Sequence, residues 1–510
     1  LAVARLRAIF KSMSGNRRTF LKQSGLAVVS ALGFPSVVCS AKDAVQEPDA
    51  LPRHIIHLVA DGMSMGTLTL GDAFARLYRQ RGLRFFDLQQ MPGAVTALVN
   101  MRSLNSVVTD SAAASSSWGS GSRVVNGVLN QLPDGVDLYP LYQLFKEASW
   151  KRGLVTTTEI THATPAGFVA NCSSRGSAEE IARQYLDRHV QVLLGGGRKF
   201  FEADKRKDKS DLLKEFRDAG YAVFHQTSEM ESASLDRPWL GVFASGHLPY
   251  TLDQYADPKL LTSVPTLAAM TKRALEWLGR SDHFILQVEG GRVDHAAHNC
   301  DIAAAVREML AFDEALEVCI EFQRRVPETL LVVTTDHGTS NPGLVGLGKS
   351  YADSLKLFSQ VLRARRSFES IADNLKSVNS AADVRKILLE ATGCEVPETK
   401  AVLLLESVNG KRKPLFDHMN SAAAQLGQLM ANYVGVGWTG TSHTADYVPL
   451  VAIGPGAVRF RGFLQNTDVF QNYLALAGIE YRNPTAPLMS ECGPSAEEAE
   501  FGDKHTEMFA

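Results

Sequence analysis

Residues 54–60 run His-Ile-Ile-His-Leu-Val-Ala, an apolar, β-rich stretch that reads as a strand. Five more runs of this kind follow, at 153–158, 192–194, 284–288, 330–335 and 449–453. Between them, 178–189, 267–278 and 302–324 carry apolar positions at helical spacing. Near-continuous apolar strands separated by helices predict an α/β fold whose large, mostly parallel sheet is covered on both faces. From about 345 to 436 the pattern changes to a Lys/Ser/Ala-rich, mostly helical stretch that interrupts the strands. It reads as an insertion or cap. No repeat of solenoid period is visible.

Composition narrows the class. The chain has 510 residues, 45% hydrophobic and 21% charged, as an ordinary globular protein does. Its net charge of −2 hides an asymmetry, because residues 1–41 carry six basic residues and no acid. Taking those six from the total leaves −8 for residues 42–510, which argues against a nucleic-acid partner.

The basic start has the order of a signal peptide: Arg17-Arg18-Thr19-Phe20-Leu21-Lys22, an apolar stretch from Leu26 to Val38, then small residues at Cys39-Ser40-Ala41. That stretch is too short, and too broken by Gly33 and Pro35, to span a bilayer. The Arg pair resembles a twin-arginine export signal. Residues 1–41 are therefore expected to be a signal and 42–510 a catalytic domain, exported to the periplasm or the exterior. Of the six cysteines, none forms a CxxC pair, which excludes a cysteine zinc knuckle. Pairing among Cys172, Cys300, Cys319, Cys394 and Cys492 cannot be read, and burial as small hydrophobes is the default.

Chemistry gathers where the strands end. The first runs into Asp61-Gly62-Met63, the fourth into Glu289-Gly290-Gly291-Arg292-Val293-Asp294 with His295 and His298, the fifth into Asp336-His337-Gly338. In open α/β sheets, ligands sit outside the carboxyl ends of the strands. Carboxylates crowded at one edge need cations to neutralise them. Each piece alone is bland: an Asp-Gly is usually a turn, and Asp294 with His298 at i, i+4 suits many solvated faces. Together they point to metal. His443, just before the last of these strands, completes a mixed oxygen and nitrogen ligand set suited to zinc.

Ser111 is the candidate nucleophile. Thr109 or Asp110 can cap a helix that begins at Ser111, and a helix N-terminus favours an alkoxide and a bound phosphate. A plain capping serine is the ordinary alternative. No His-Asp partner of the hydrolase-elbow type is evident, so a metal would have to activate it.

Six motifs in order resemble the alkaline phosphatases over nearly all of the chain after the signal: Asp61-Gly62-Met63, Thr109-Asp110-Ser111-Ala112-Ala113, His162-Ala163-Thr164-Pro165-Ala166 with Ser173-Ser174-Arg175, the Glu289–Asp294 stretch with His298, Thr335-Asp336-His337, and His443-Thr444-Ala445-Asp446. The resemblance implies a three-layer sandwich that hydrolyses phosphate monoesters through a phosphoserine, with two zinc ions and one magnesium per chain. It implies that Asp294, His298 and His443 hold the first zinc, and Asp61, Asp336 and His337 the second, beside Ser111. Asp61 would bridge to a magnesium also held by Thr164 and Glu289, and Arg175 would clamp phosphate oxygens. Family members differ between Asp and His at the place of His162 and between Lys and His at that of His295. Those two imidazoles are expected behind the magnesium, as partners of its water, or as a lure for zinc in that third site.

Rivals are a phosphodiesterase or sulfatase of the same fold, and a non-catalytic exported phosphate- or metal-binding protein. The sulfatase motif C/S-x-P-x-R is missing at Ser111-Ala112-Ala113-Ala114-Ser115. A mere binding protein has no use for Ser111 beside a complete ligand set. A homodimer is left open.

Overall fold

The computed structural model describes residues 51–346 and 351–489. The proposed signal at 1–41 lies outside them, as do Cys39 and Cys492. One ten-stranded sheet organises the chain: β1 (His54–Val59), β2 (Val95–Asn100), β3 (Lys151–Glu159), β4 (Val192–Gly196), β5 (Ala222–Phe224), β6 (Trp239–Val242), β7 (Phe284–Glu289), β8 (Thr329–Thr334), β9 (Val448–Ile453) and β10 (Gly462–Gln465). The spatial order is β10-β2-β9-β8-β1-β7-β3-β4-β6-β5. Every pairing is parallel except those of β9, which runs antiparallel to both β8 and β2. The expected large, mostly parallel sheet between helical layers is present.

Both faces are covered, which is why the central strands read as near-continuous apolar runs. Every residue of β1, β7, β8 and β9 is buried. Neighbours point to opposite sides. Ile56 and Leu58 join the core shared with helices Met65–Arg79, Leu267–Leu278 and Ile302–Arg325. Ile55 and Val59 join the opposite core, shared with helices Ser111–Ser120 and Asn466–Leu476.

Register then aligns the strand ends. Val59 of β1 stands opposite Glu289 of β7 and Thr334 of β8, and Thr156 of β3 also stands opposite Glu289. Asp61, Glu289 and Asp336 therefore reach one edge. His443 precedes its strand rather than following one, and the reversal of β9 brings it to that same edge.

The helices Phe368–Ser377, Ala381–Thr392, Glu398–Val408 and Ala422–Val434 build a separate small core from residues such as Phe368, Leu375, Leu388, Leu404 and Leu426. An antiparallel ribbon, Gly343–Leu344 against Val436–Gly437, closes the base of this helical segment. It is tied down near its start: Asp253 accepts hydrogen bonds from Ser367 N and Oγ, and buried Asp301 accepts one from Phe368 N at 2.6 Å. Cys172, Cys300, Cys319 and Cys394 are buried free thiols. Among the described residues, no helix is long and apolar enough to cross a membrane.

Candidate metal centre and nucleophile

Ser111 opens the helix Ser111–Ser120 and is almost completely buried. Of the two capping candidates, Asp110 does the work: one carboxylate oxygen accepts the Ala113 N–H at 2.9 Å. Its other oxygen accepts the Gly127 N–H at 2.9 Å and Arg175 Nη1 at 3.1 Å. One side chain thus fixes both the helix start and the guanidinium. Ser111 Oγ lies 3.2 Å from His337 Nε2.

Three groups of ligating side chains surround this point: Asp294, His298 and His443; Asp61, Asp336 and His337; and Asp61, His162 and Glu289. Their hydrogen bonds show what the groups lack. His298 Nδ1 bonds the Thr441 carbonyl at 2.5 Å and His443 Nδ1 bonds the Thr109 carbonyl at 2.9 Å. A carbonyl only accepts, so each Nδ1 carries the proton and each neutral ring turns a lone pair outward at Nε2. Those two Nε2 atoms are 3.0 Å apart, with Asp294 Oδ2 3.2 Å from the first. Two lone pairs and a carboxylate meeting this closely call for a cation between them.

The second group repeats the logic. Thr339 Oγ1 donates to Asp294 Oδ1, so it accepts from His337 Nδ1 at 3.2 Å. His337 Nε2 then presents its lone pair 3.1 Å from Asp336 Oδ2 and 3.6 Å from Asp61 Oδ1. Both of those oxygens are buried and accept no hydrogen bond. Glu289 Oε1 is likewise unsatisfied, while Glu289 Oε2 accepts from Thr156 and Thr158. Thr164 Oγ1 donates to Asp61 Oδ2 at 3.3 Å. Buried, unsatisfied carboxylate oxygens are costly unless a cation fills the gap.

Electrostatics agree. Burial and the carboxylates of Asp336, Asp294 and Glu289 push the Asp61 carboxyl well above its usual range. Burial works the same way on Asp336, but His337 outweighs it and holds that group at about 2. Burial and His337 keep His443 neutral well below the usual imidazole range.

The tight meeting of loops explains Gly62. Its φ is +68°, and a Cβ there would stand 2.5 Å from Asp294 Oδ1 and 2.7 Å from Thr339 Oγ1. Its N–H donates to Asp336 Oδ1 at 3.1 Å. Only a glycine fits.

Every residue singled out in the sequence reaches this edge, but two take particular places. His162 Nδ1 is 3.3 Å from Glu289 Oε1, and its Nε2 accepts from Arg175 Nη2 at 3.1 Å. It is thus close enough to join the third group directly. His295 stands behind: Nδ1 accepts from Arg292 Nη1 at 2.8 Å, and its ring packs on His162 and His247. His247, Thr156, Thr158 and Thr339 went unseen as site residues, and Asp110 was read only as a helix cap. The Thr-rich end of β3 was a signal read only as strand. His247 had none: it is placed by its Nδ1, which accepts the Glu159 N–H at 3.0 Å.

Comparison with known proteins places the chain and its fold in one family. The alkaline phosphatase family model matches residues 52–479. Alkaline phosphatase 3 of Bacillus subtilis is 31% identical over 474 residues, covering 88% of this chain and 95% of that protein. The Escherichia coli alkaline phosphatase is 31% identical over 491 residues, covering 86% and 88%. The crystal structure of Thermus thermophilus alkaline phosphatase superposes with a TM-score of 0.80 at 34% identity, covering 90% of this chain and 96% of that one. A fold, a metal-binding edge and a family match across most of the sequence converge: the chain belongs to the alkaline phosphatase family and is a phosphatase that hydrolyses phosphoesters.

Proposed function

We propose that the protein hydrolyses phosphate monoesters in two displacements, through a phosphoserine at Ser111. The observation that carries this is Ser111 Oγ at a helix N-terminus, 3.2 Å from His337 Nε2 and within the ring of ligand groups. The two Asp/His groups suit zinc, whose ligands are mixed imidazole and carboxylate. The third group, with Asp61, Glu289 and Thr164 offering oxygens, suits magnesium, and His162 beside it leaves room for zinc. When bound, such ions stabilise the attacking and leaving oxygens of an in-line displacement and lower the pKa of hydroxyls near them.

The chain's own residues supply the rest. Ser111 Oγ loses its proton to solvent and attacks phosphorus, the Oγ–P bond forms, and the bond from phosphorus to the ester oxygen breaks. The alcohol leaves and gains its proton from solvent. Arg175, set in place by Asp110, meets the charge on two phosphoryl oxygens with its planar fork. The dipole of the Ser111–Ser120 helix favours the same anion. Water then attacks the phosphoserine, the Oγ–P bond breaks, and inorganic phosphate is released.

Export through the twin-arginine route belongs to the same reading, supported by Arg17 and Arg18 ahead of the apolar stretch. The functional test is phosphate release from a generic monoester and from a diester, each with and without chelator. A fast, chelator-sensitive reaction on the monoester is expected. A preference for the diester would move the protein to the phosphodiesterases.

A further inference from the structure

We propose that Phe416, with His418 beside it, forms a platform for the leaving group, and that the protein prefers phosphate esters carrying a planar ring, nucleotides in particular. The proposal rests on the phosphomonoesterase reading above.

Direction comes first. In an in-line displacement the leaving oxygen departs opposite the attacking one. Ser111 belongs to the Asp61, Asp336 and His337 group, so the leaving group emerges past Asp294, His298 and His443. The group of Asp61, Asp336 and His337 is sealed, with those side chains at 0% exposure. His298 and His443 retain 14% and 9%. The leaving group therefore meets whatever stands beside those two histidines.

The helical segment stands there. The carbonyl that holds His298 belongs to Thr441, and Thr441 Oγ1 donates to the His418 carbonyl at 2.8 Å. One peptide unit earlier, about 3.8 Å along the chain, is Gly440. A Cβ on Gly440 would lie 3.6 Å from the Phe416 ring and would meet no other residue within 4 Å. The Phe416 and His418 rings are 5.2 Å apart at 46°. Met419 anchors the loop in a small core with Cys300 and Ala424. Phe416 nevertheless stays half exposed, and Leu415 before it is fully exposed.

A single exposed aromatic is ordinary. Two rings held to the backbone that fixes a metal-ligating histidine are a placed surface. Nucleobases stack on such rings whatever their identity, because each has a π-face. Lys411, Arg412 and Lys413, all exposed on the same loop, add a positive field suited to anionic esters.

The test compares adenosine 5′-monophosphate with glycerol 3-phosphate, both esters of primary alcohols and so alike in chemistry. The wild-type protein should show the higher kcat/KM on the nucleotide. Phe416→Ala should lower that value about tenfold, the order expected for one lost stacking contact, and change the glycerol ester less than about twofold. The kcat should hold, since both substrates pass through the same phosphoserine, and Phe416→Tyr should restore the preference. In wild-type protein, adenosine should inhibit hydrolysis of the glycerol ester and added glycerol at equal concentration should not. Equal losses on both esters, or equal effects of adenosine and glycerol, would overturn the platform. Absence of phosphate release from either ester would overturn the phosphatase reading instead.

Discussion

His298 and His443 turn their Nε2 atoms toward one another across 3.0 Å, while backbone carbonyls of Thr441 and Thr109 hold their Nδ1 protons. With both rings neutral, neither nitrogen can donate to the other. The arrangement makes sense only around a cation, and it fixes both rings before the ion arrives, which is how a protein sharpens a metal site. His443→Ala should therefore lose about one metal ion per chain and cost at least about a hundredfold in turnover. Metal analysis of the purified variant checks this, and an unchanged metal content would remove that group from the centre.

Acid should empty the centre, and the sign follows from the shifts. Burial works to lower the His298 and His337 pKa values, but Asp294 and Asp336 beside them outweigh it and raise both. A raised pKa favours the protonated ring as pH falls, and a protonated ring cannot ligate. His298 and His337 should thus take protons before His443, whose pKa is lowered. Metal retained after dialysis should be full at alkaline pH and fall as pH drops through and below neutrality. Equal retention at acid and alkaline pH would contradict this.

Arg175 hangs on Asp110, which also caps the nucleophile's helix. Arg175→Lys keeps the charge but loses the planar fork. Inhibition by inorganic phosphate should weaken about tenfold and kcat/KM fall in step, with metal content unchanged. Asp110→Ala should show a similar loss plus a lower unfolding temperature, because the helix cap is removed as well.

Gly62→Ala would force a side chain into a left-handed turn and against Asp294. A loss of roughly 2 kcal/mol or more in stability is expected, along with weaker metal retention. Thermal unfolding with and without added zinc separates the two effects.

Much of this was legible in the sequence, for identifiable reasons. The central strands β1, β3, β7 and β8 are covered on both faces, so apolar residues dominate them and they stand out. The flanking strands do not: β2 alternates exposed and buried residues, and β5 has only three. The direction of β9 was invisible, because strand periodicity reads the same both ways. Yet that reversal is what carries His443 to the site. Carboxylates at strand ends could be read from their positions after apolar runs. His247 and Thr339 could not, since tertiary contacts alone bring them in.

Export makes its own prediction. Replacing Arg17 and Arg18 with Lys should leave folded, active enzyme in the cytoplasm, measured by fractionation. Unchanged export would overturn the twin-arginine reading and leave the enzyme assignment intact.

The most direct test of the account is the covalent state of Ser111. Protein mixed with excess phosphate monoester and quenched at acid pH, where water attack on the phosphoserine slows, should carry phosphate on the peptide containing Ser111. Ser111→Ala should show none and should lose several powers of ten in turnover, while keeping its metal through Asp61, Asp336 and His337. Phosphate found on another residue, or near-normal turnover by Ser111→Ala, would contradict the serine mechanism and leave direct attack by water on the same scaffold.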